Sequence, residues 1–224
     1  MHKEKIIRVK SVEDLNKIRK INQKQFKTLV LKLDDDIFFD EYESFEPIDA
    51  SDMDVIILGN NHHVQDLYID KKDDNEIGLF SRTKDFKIFN IGSVTYDVRG
   101  KSFVGGLVGK VDGNALVYNV GSYGNIDGDY YCGGFFGTVK DLYIISSFNI
   151  FSYVMAKDVV GGIAGMCNKY TDIDSSIRTG IQGVTGKYQG LITGYNSSEM
   201  LESILPYIDD NPENKEKKIL GFRK

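Results

Sequence analysis

Three histidines, two cysteines and an uneven run of carboxylates are the side chains here whose types could do chemistry. His62 and His63 are adjacent, so on a strand they point to opposite sides, and His2 is terminal. A Ser-His-Asp or Cys-His arrangement would have to use one of that pair, and no nucleophile elbow surrounds a serine. A turn-flanking pair is the better reading than a catalytic or metal-binding one. Cys132 and Cys167 have neither a Cys-x-x-Cys partner nor a histidine at ligand spacing, and both sit in apolar or glycine-rich runs. That predicts buried free thiols, suited to a reducing compartment. Asn125-Ile126-Asp127-Gly128-Asp129 has the start of a calcium loop without its remaining ligands, so ordinary turn chemistry accounts for it. No catalytic residue, metal or cofactor is expected.

Two surfaces remain as binding candidates. From Asp34 to Asp54 the chain carries ten acids and no Lys or Arg. Asp34, Asp35, Asp36, Asp40, Glu41 and Glu43 form its densest part, an acidic rim that either keeps one end of the molecule solvated or meets a basic partner. The other candidate is an aromatic row: Tyr96, Tyr123, Phe151 and Tyr153, with Thr95, Thr179 and Tyr118 beside it. Facing outward, the row makes a rigid ligand surface. Facing inward, it is core. Nucleic acid would want Lys and Arg among those rings, and none is there, so direct phosphate binding is disfavoured.

The elements that position these residues follow from a repeat. Val104-Gly105-Gly106-Leu107-Val108-Gly109 recurs as Cys132-Gly133-Gly134-Phe135-Phe136-Gly137 and Val160-Gly161-Gly162-Ile163-Ala164-Gly165. Weaker copies at Ile77–Ser81 and Gln189–Gly194 complete a series, Gly78, Gly106, Gly134, Gly162 and Gly190, in which every step is 28 residues. Apolar residues keep the same period: Leu79, Leu107, Phe135, Ile163 and Leu191 one place on; Ile88, Leu116 and Ile144 ten places on; Val98, Ile126 and Val154 twenty places on. In the coil after Gly162 that register slips, with Asp172 where an apolar residue is due. Between the glycines lie runs of four to seven apolar or alternating residues bounded by Gly, Asn, Asp and Ser, which read as strands. Three strands per unit, stacked at about 4.8 Å, make an all-β parallel β-solenoid in which each coil covers the next.

With these residues in hand, the Gly-Gly-Leu-Val-Gly pattern at 28-residue spacing resembles the GLUG repeat of bacterial surface, adhesin-like and protease-associated proteins. Ile56–Ile69 looks like the Gly-Asn-Gly-His coil that precedes such repeats, with Asn61 replacing the second glycine, and Leu31–Ile37 like the family's opening strand. The resemblance covers about residues 28–195. It implies a right-handed β-helix of about six coils and supplies no catalytic residues.

The ends complete the plan. Ser11 before Val12, Leu15, Ile18 and Ile21, with Glu13 and Asp14 in the first turn, predicts an N-capped amphipathic helix of three turns. This gives an N-terminal cap over 1–33, a solenoid over 34–196, and a C-terminal cap with a short helix and charged tail over 197–224. A charged fraction of 27% against 41% hydrophobic marks a folded soluble domain. No stretch approaches the roughly 18 apolar residues of a membrane span, and the basic N-terminus lacks a signal's apolar stretch. A cytoplasmic location is therefore expected. The leading reading is a non-enzymatic protein-binding module, phage- or mobile-element-encoded, whose acidic rim or flat face binds and inhibits a macromolecular partner. The alternatives are an adhesin-like module for a glycan or host surface, and a polysaccharide-active β-helix enzyme, for which the sparse outward charges supply no acid pair. Homodimerisation through a solenoid end stays open.

Overall fold

The computed structural model describes residues 3–173, 176–177, 188–190 and 193–196. They form a single parallel β-solenoid of about six turns. Every strand pairing is parallel, as it must be when successive coils run the same way around one axis. The expected three strands per coil become four paired segments. A first side runs through Glu4–Val9, Thr28–Leu33, Asp54–Leu58 and segments 86–91, 115–120, 142–145 and 170–173. A second side follows at 63–69, 93–99, 122–127 and Phe148–Met155. A short corner strand precedes the paired glycines, at 102–105, Tyr130–Gly133 and Val159–Gly161, and a third side follows them, at Phe80–Thr83, 108–111 and 136–139. The glycine pair turns the chain between these last two, which is why the corner strand is separate.

The paired glycines are needed for close approach. A Cβ added at Gly134 would meet Ser152 Oγ and Gly162 O well inside van der Waals contact. One added at Gly105 would lie 2.6 Å from Phe135 O and 2.7 Å from the Gly137 nitrogen, where the next coil's backbone passes. Inside, like residues stack: Val98, Ile126 and Val154 lie on one another and are fully buried. Phe80, Phe86, Phe135 and Phe136 fill the wide part of the core, with Phe86 and Phe136 edge to face at 5.8 Å.

Two register assignments from the 28-residue arithmetic are corrected. Val117, not Leu116, takes the inward place above Ile88 and below Ile144, because an extra residue enters the turn between Val111 and Asn114 and is given back before Ser122. A one-residue shift in a strand exchanges its two faces, so Leu116 is carried outward. In the last coil Gly161, not Gly162, pairs with Gly190, and Ala164 with Thr193. That coil is one residue longer, in line with the slip seen in sequence.

At the N-terminus the strand Glu4–Val9 precedes the helix, adding a layer to the first side. The expected three-turn helix is shorter: an α-helix at Val12–Asn16 followed by 3-10 turns at Lys17–Lys20 and Gln23–Gln25. Ser11 makes no side-chain cap bond; the Asp14 carboxylate instead accepts from the Lys10 N–H at 2.9 Å. Leu15 and Ile18 are buried in the solenoid core, and Arg19 donates to the carbonyls of Glu46 and Pro47, fastening the cap to the first full coil. The proposed C-terminal helix and tail, 197–224, lie outside the described residues.

Gly134→Val is expected to lower stability by about 2 kcal/mol or more, because the coil above cannot move away without breaking its own ladder. Thermal unfolding of the variant within error of the parent would show that the coils do not approach as closely as described.

Candidate binding surfaces

The strands of the second side alternate, and register sets their outward residues in a grid. One row is Thr95, Tyr123 and Phe151; the next is Tyr68, Asp97, Asn125 and Tyr153; the third is Asp70, Arg99, Asp127 and Met155. Tyr123 is 53% exposed and Met155 46%. Tyr123 and Phe151 stack with centroids 5.4 Å apart and planes 6° from parallel, and Tyr153 meets Phe151 edge-on at 4.8 Å. Three of the four aromatic residues singled out in sequence therefore do form one outward cluster. At its border Arg99 bridges Asp97 at 3.3 Å and Asp70 at 3.7 Å, and the grid holds no Lys or Glu. Asp97, Arg99 and Met155 were not singled out in sequence, and Asn125 and Asp127 only as part of a turn-like segment. The signal for them was the strict i, i+2 spacing from the aromatic positions.

Tyr96 is the exception and is corrected: it points inward. Its parity is that of Val94 and Val98, both buried, and its hydroxyl pairs with Ser152 Oγ at 2.8 Å inside the core. Gly124 lies directly above it in register and leaves room for the ring. Burial pushes the Tyr96 phenol up to about 12, while the Ser152 hydrogen bond pulls the other way. Thr179 lies outside the described residues.

The acidic block is built into the first full coil. Ile37, Ile48, Ala50 and Met53 point into the core, and the acids take the outward places between them. Much of the charge is met by neighbours. Asp34 bridges Arg8 at 3.0 Å, Glu46 bridges Lys71 at 2.7 Å, and Asp36 accepts from the His63 N–H at 2.9 Å and contacts His62 Nδ1 at 3.1 Å. The Asp35 and Asp40 carboxylates accept from the backbone N–H of Asp36 and Tyr42 and thereby shape turns. Asp40, Glu41 and Glu43 remain exposed around Tyr42, which is 87% exposed.

Both histidines flank the Asn60–Asn61 turn, as their position suggested. Each is half-buried; His62 faces Asp36 and His63 Nδ1 faces Ser93 Oγ at 2.8 Å on the next coil. Asn60 and Asn61 before them have positive φ, 52° and 64°, the conformation that asparagine tolerates in such a turn. Cys132 and Cys167 are buried and not joined in a disulfide, and burial holds the Cys132 thiol far above its ordinary range. Among the described residues no cluster of three or more His, Cys, Asp or Glu could hold a metal ion, and no helix is long and apolar enough to cross a membrane. The molecule is, by class, a glycine-cornered parallel β-solenoid with an outward aromatic cluster. Comparison with family models, with curated proteins and with solved structures found no significant match.

Two titrations follow. Tyr96 has a folded pKa above the unfolded value of about 10, so its share of stability is complete below that pH and is lost as pH rises through 12. Absorbance titration should show one tyrosine ionising last, together with unfolding. Its titration near pH 10 in the folded state would contradict the burial. Asp36 has the opposite sign: the His63 N–H holds its carboxyl below the usual range, so its contribution is present above about pH 4 and lost as pH falls. Asp36→Asn should lower stability at neutral pH and narrow its gap to the parent in acid unfolding curves. A gap that is constant with pH would remove the carboxylate from the account.

Proposed function

We propose that this chain is a non-enzymatic protein-binding module that presents the second side of the solenoid to a macromolecular partner and acts by occupying that partner's surface. The observation that carries this reading is the outward Tyr123–Phe151–Tyr153 cluster on the second side, with Tyr123 exposed and the other two rings half-buried against it. Tyr and Phe at the centre of a patch, with Met and Arg beside them and the Asp residues kept to the border, resembles the aromatic core and polar rim of a protein interface. The rigid stack also lowers the cost of binding, since aromatic side chains already held by their neighbours lose little freedom on contact. The acidic coil is the weaker contact of the two, because Asp34, Asp36 and Glu46 already have partners within the molecule. A role as a GLUG-like interaction repeat fits this reading, and two buried cysteines not joined in a disulfide favour a cytoplasmic partner.

The glycan reading is less favoured by the same geometry. Sugars stack on open ring faces, whereas Tyr123 and Phe151 each spend one face on the other.

Tyr123→Ser with Tyr153→Ser should abolish capture of a stoichiometric protein partner from cytoplasmic extract. Loss of two hot-spot side chains costs at least about 2 kcal/mol each, or roughly thirtyfold in affinity per residue. Neutralising Asp34, Asp35 and Asp36 together should leave capture in place. The opposite pattern would move the site to the acidic coil, and a glycan array signal lost in the tyrosine variant would replace the protein partner with a sugar.

A further inference from the structure

The first side breaks the alternation that the second side keeps. Apolar residues run without interruption through Leu29-Val30-Leu31, Val55-Ile56-Ile57-Leu58, Ala115-Leu116-Val117-Tyr118 and Leu142-Tyr143-Ile144-Ile145. The inward members of these runs, such as Leu29, Val55, Ile57, Val117 and Ile144, are fully buried in the core. The outward members fall into two rows by register. One is Ile6, Val30, Ile56, Lys87, Leu116 and Tyr143. The other is Arg8, Lys32, Leu58, Phe89, Tyr118 and Ile145. Ile6 is 53% exposed and Tyr118 39%, and Leu58, Phe89, Leu116 and Ile145 are half-buried. Unbroken apolar runs are the mark of parallel strands covered on both faces, whereas a strand with one wet face alternates. Among the described residues the solenoid interior covers one face of this sheet, and the other face is left partly open, with Val30 alone of its apolar members buried.

We propose that a second copy of this chain covers the first side, the two sheets packing face to face in an isologous homodimer. Area supports that occupant. The six strands that carry these two rows, about 4.8 Å apart with five residues at about 3.3 Å each, give a face of about 480 Å² in projection. Two such faces together remove about 1,000 Å², before side-chain relief is counted, which is the size at which specific interfaces begin. Shape and charge support it as well. A flat apolar sheet fits another flat apolar sheet, at about the 10 Å spacing of packed sheets, and a two-fold contact needs one patch to match itself. In the four coils from Ile56 to Ile145 the only charge in the two rows is Lys87, whose stem can lie along apolar surface while its ammonium reaches the rim. Arg8, bonded to Asp34, and Lys32 sit together at one end of the patch, where they keep the edge soluble. This contact uses the flank of the solenoid and leaves the aromatic cluster of the second side free, so it stands apart from the binding reading above.

The test uses the full chain. Light scattering after size exclusion should give twice the 25.2 kDa protomer mass. Phe89→Lys and Leu116→Lys, both outward, should each weaken dimerisation at least a hundredfold and leave a monomer with unchanged far-ultraviolet circular dichroism, while Tyr123→Ser stays dimeric. Should the lysine variants misfold, Tyr118→Cys gives an independent readout. A short bismaleimide should join two copies through it, the native thiols being buried, whereas Tyr42→Cys should not be joined. A monomeric parent protein, a dimer that survives both lysine changes, or crosslinking equal at positions 118 and 42 would overturn the proposal.

Discussion

Everything in this molecule depends on one coil lying flat on the next at hydrogen-bonding distance all the way round its circumference. The parallel ladders demand it along the sides, where register is set residue by residue. At the corner between the glycines, backbone meets backbone so closely that even a methyl group has no room at Gly105 or Gly134. A side chain there would lift the coil above and weaken the ladders on either side of the turn. The glycine pair is thus the condition under which the strands can be strands.

The same constraint divides the residues of each coil into two populations. Inward places are filled by stacked apolar side chains, with polar contacts between coils such as Tyr96 to Ser152 and the Val120 N–H to Ser147 Oγ. Outward places are freed from packing duty and differ by side. On the second side they carry stacked rings bordered by Asp, Asn and Arg; on the first they carry aliphatic and aromatic residues across successive coils. In the first full coil they carry acids, of which Asp34, Glu46 and Asp36 are met by Arg8, Lys71 and the His62–His63 turn. A rigid prism with chemically distinct flanks suits contact with macromolecules, since a flat flank offers area and positional order without a cleft.

The N-terminal cap shows how local propensity yields to packing. The segment after Ser11 has the apolar spacing of a longer helix, yet the helix loosens into 3-10 turns after Asn16. Two features hold the segment in that shape. Leu15 and Ile18 must reach the open end of the core, and Arg19 must reach the carbonyls of Glu46 and Pro47. The missing Ser11 cap bond follows from the same adjustment, with Asp14 taking the nearest free N–H instead.

By itself the sequence determined the solenoid, its 28-residue period from coil to coil, the glycine corners, the buried thiols and the stacking of Tyr123 with Phe151 in one row, whose outward direction the structure decided. All of these depend on periodicity, and a repeat averages over local irregularity. Tertiary structure alone decided what a single inserted residue controls. Whether Leu116 or Val117 enters the core turned on an extra residue before Asn114, and a shift of one place exchanges the two faces of a strand. Tyr96 differs from its neighbour Thr95 only in parity, yet that put its ring beneath Gly124 and its hydroxyl on Ser152. The pairing of the acidic coil was likewise decided in three dimensions. Arg8, Lys71 and His62 lie far from their carboxylates along the chain and come within reach only when one coil rests on the next.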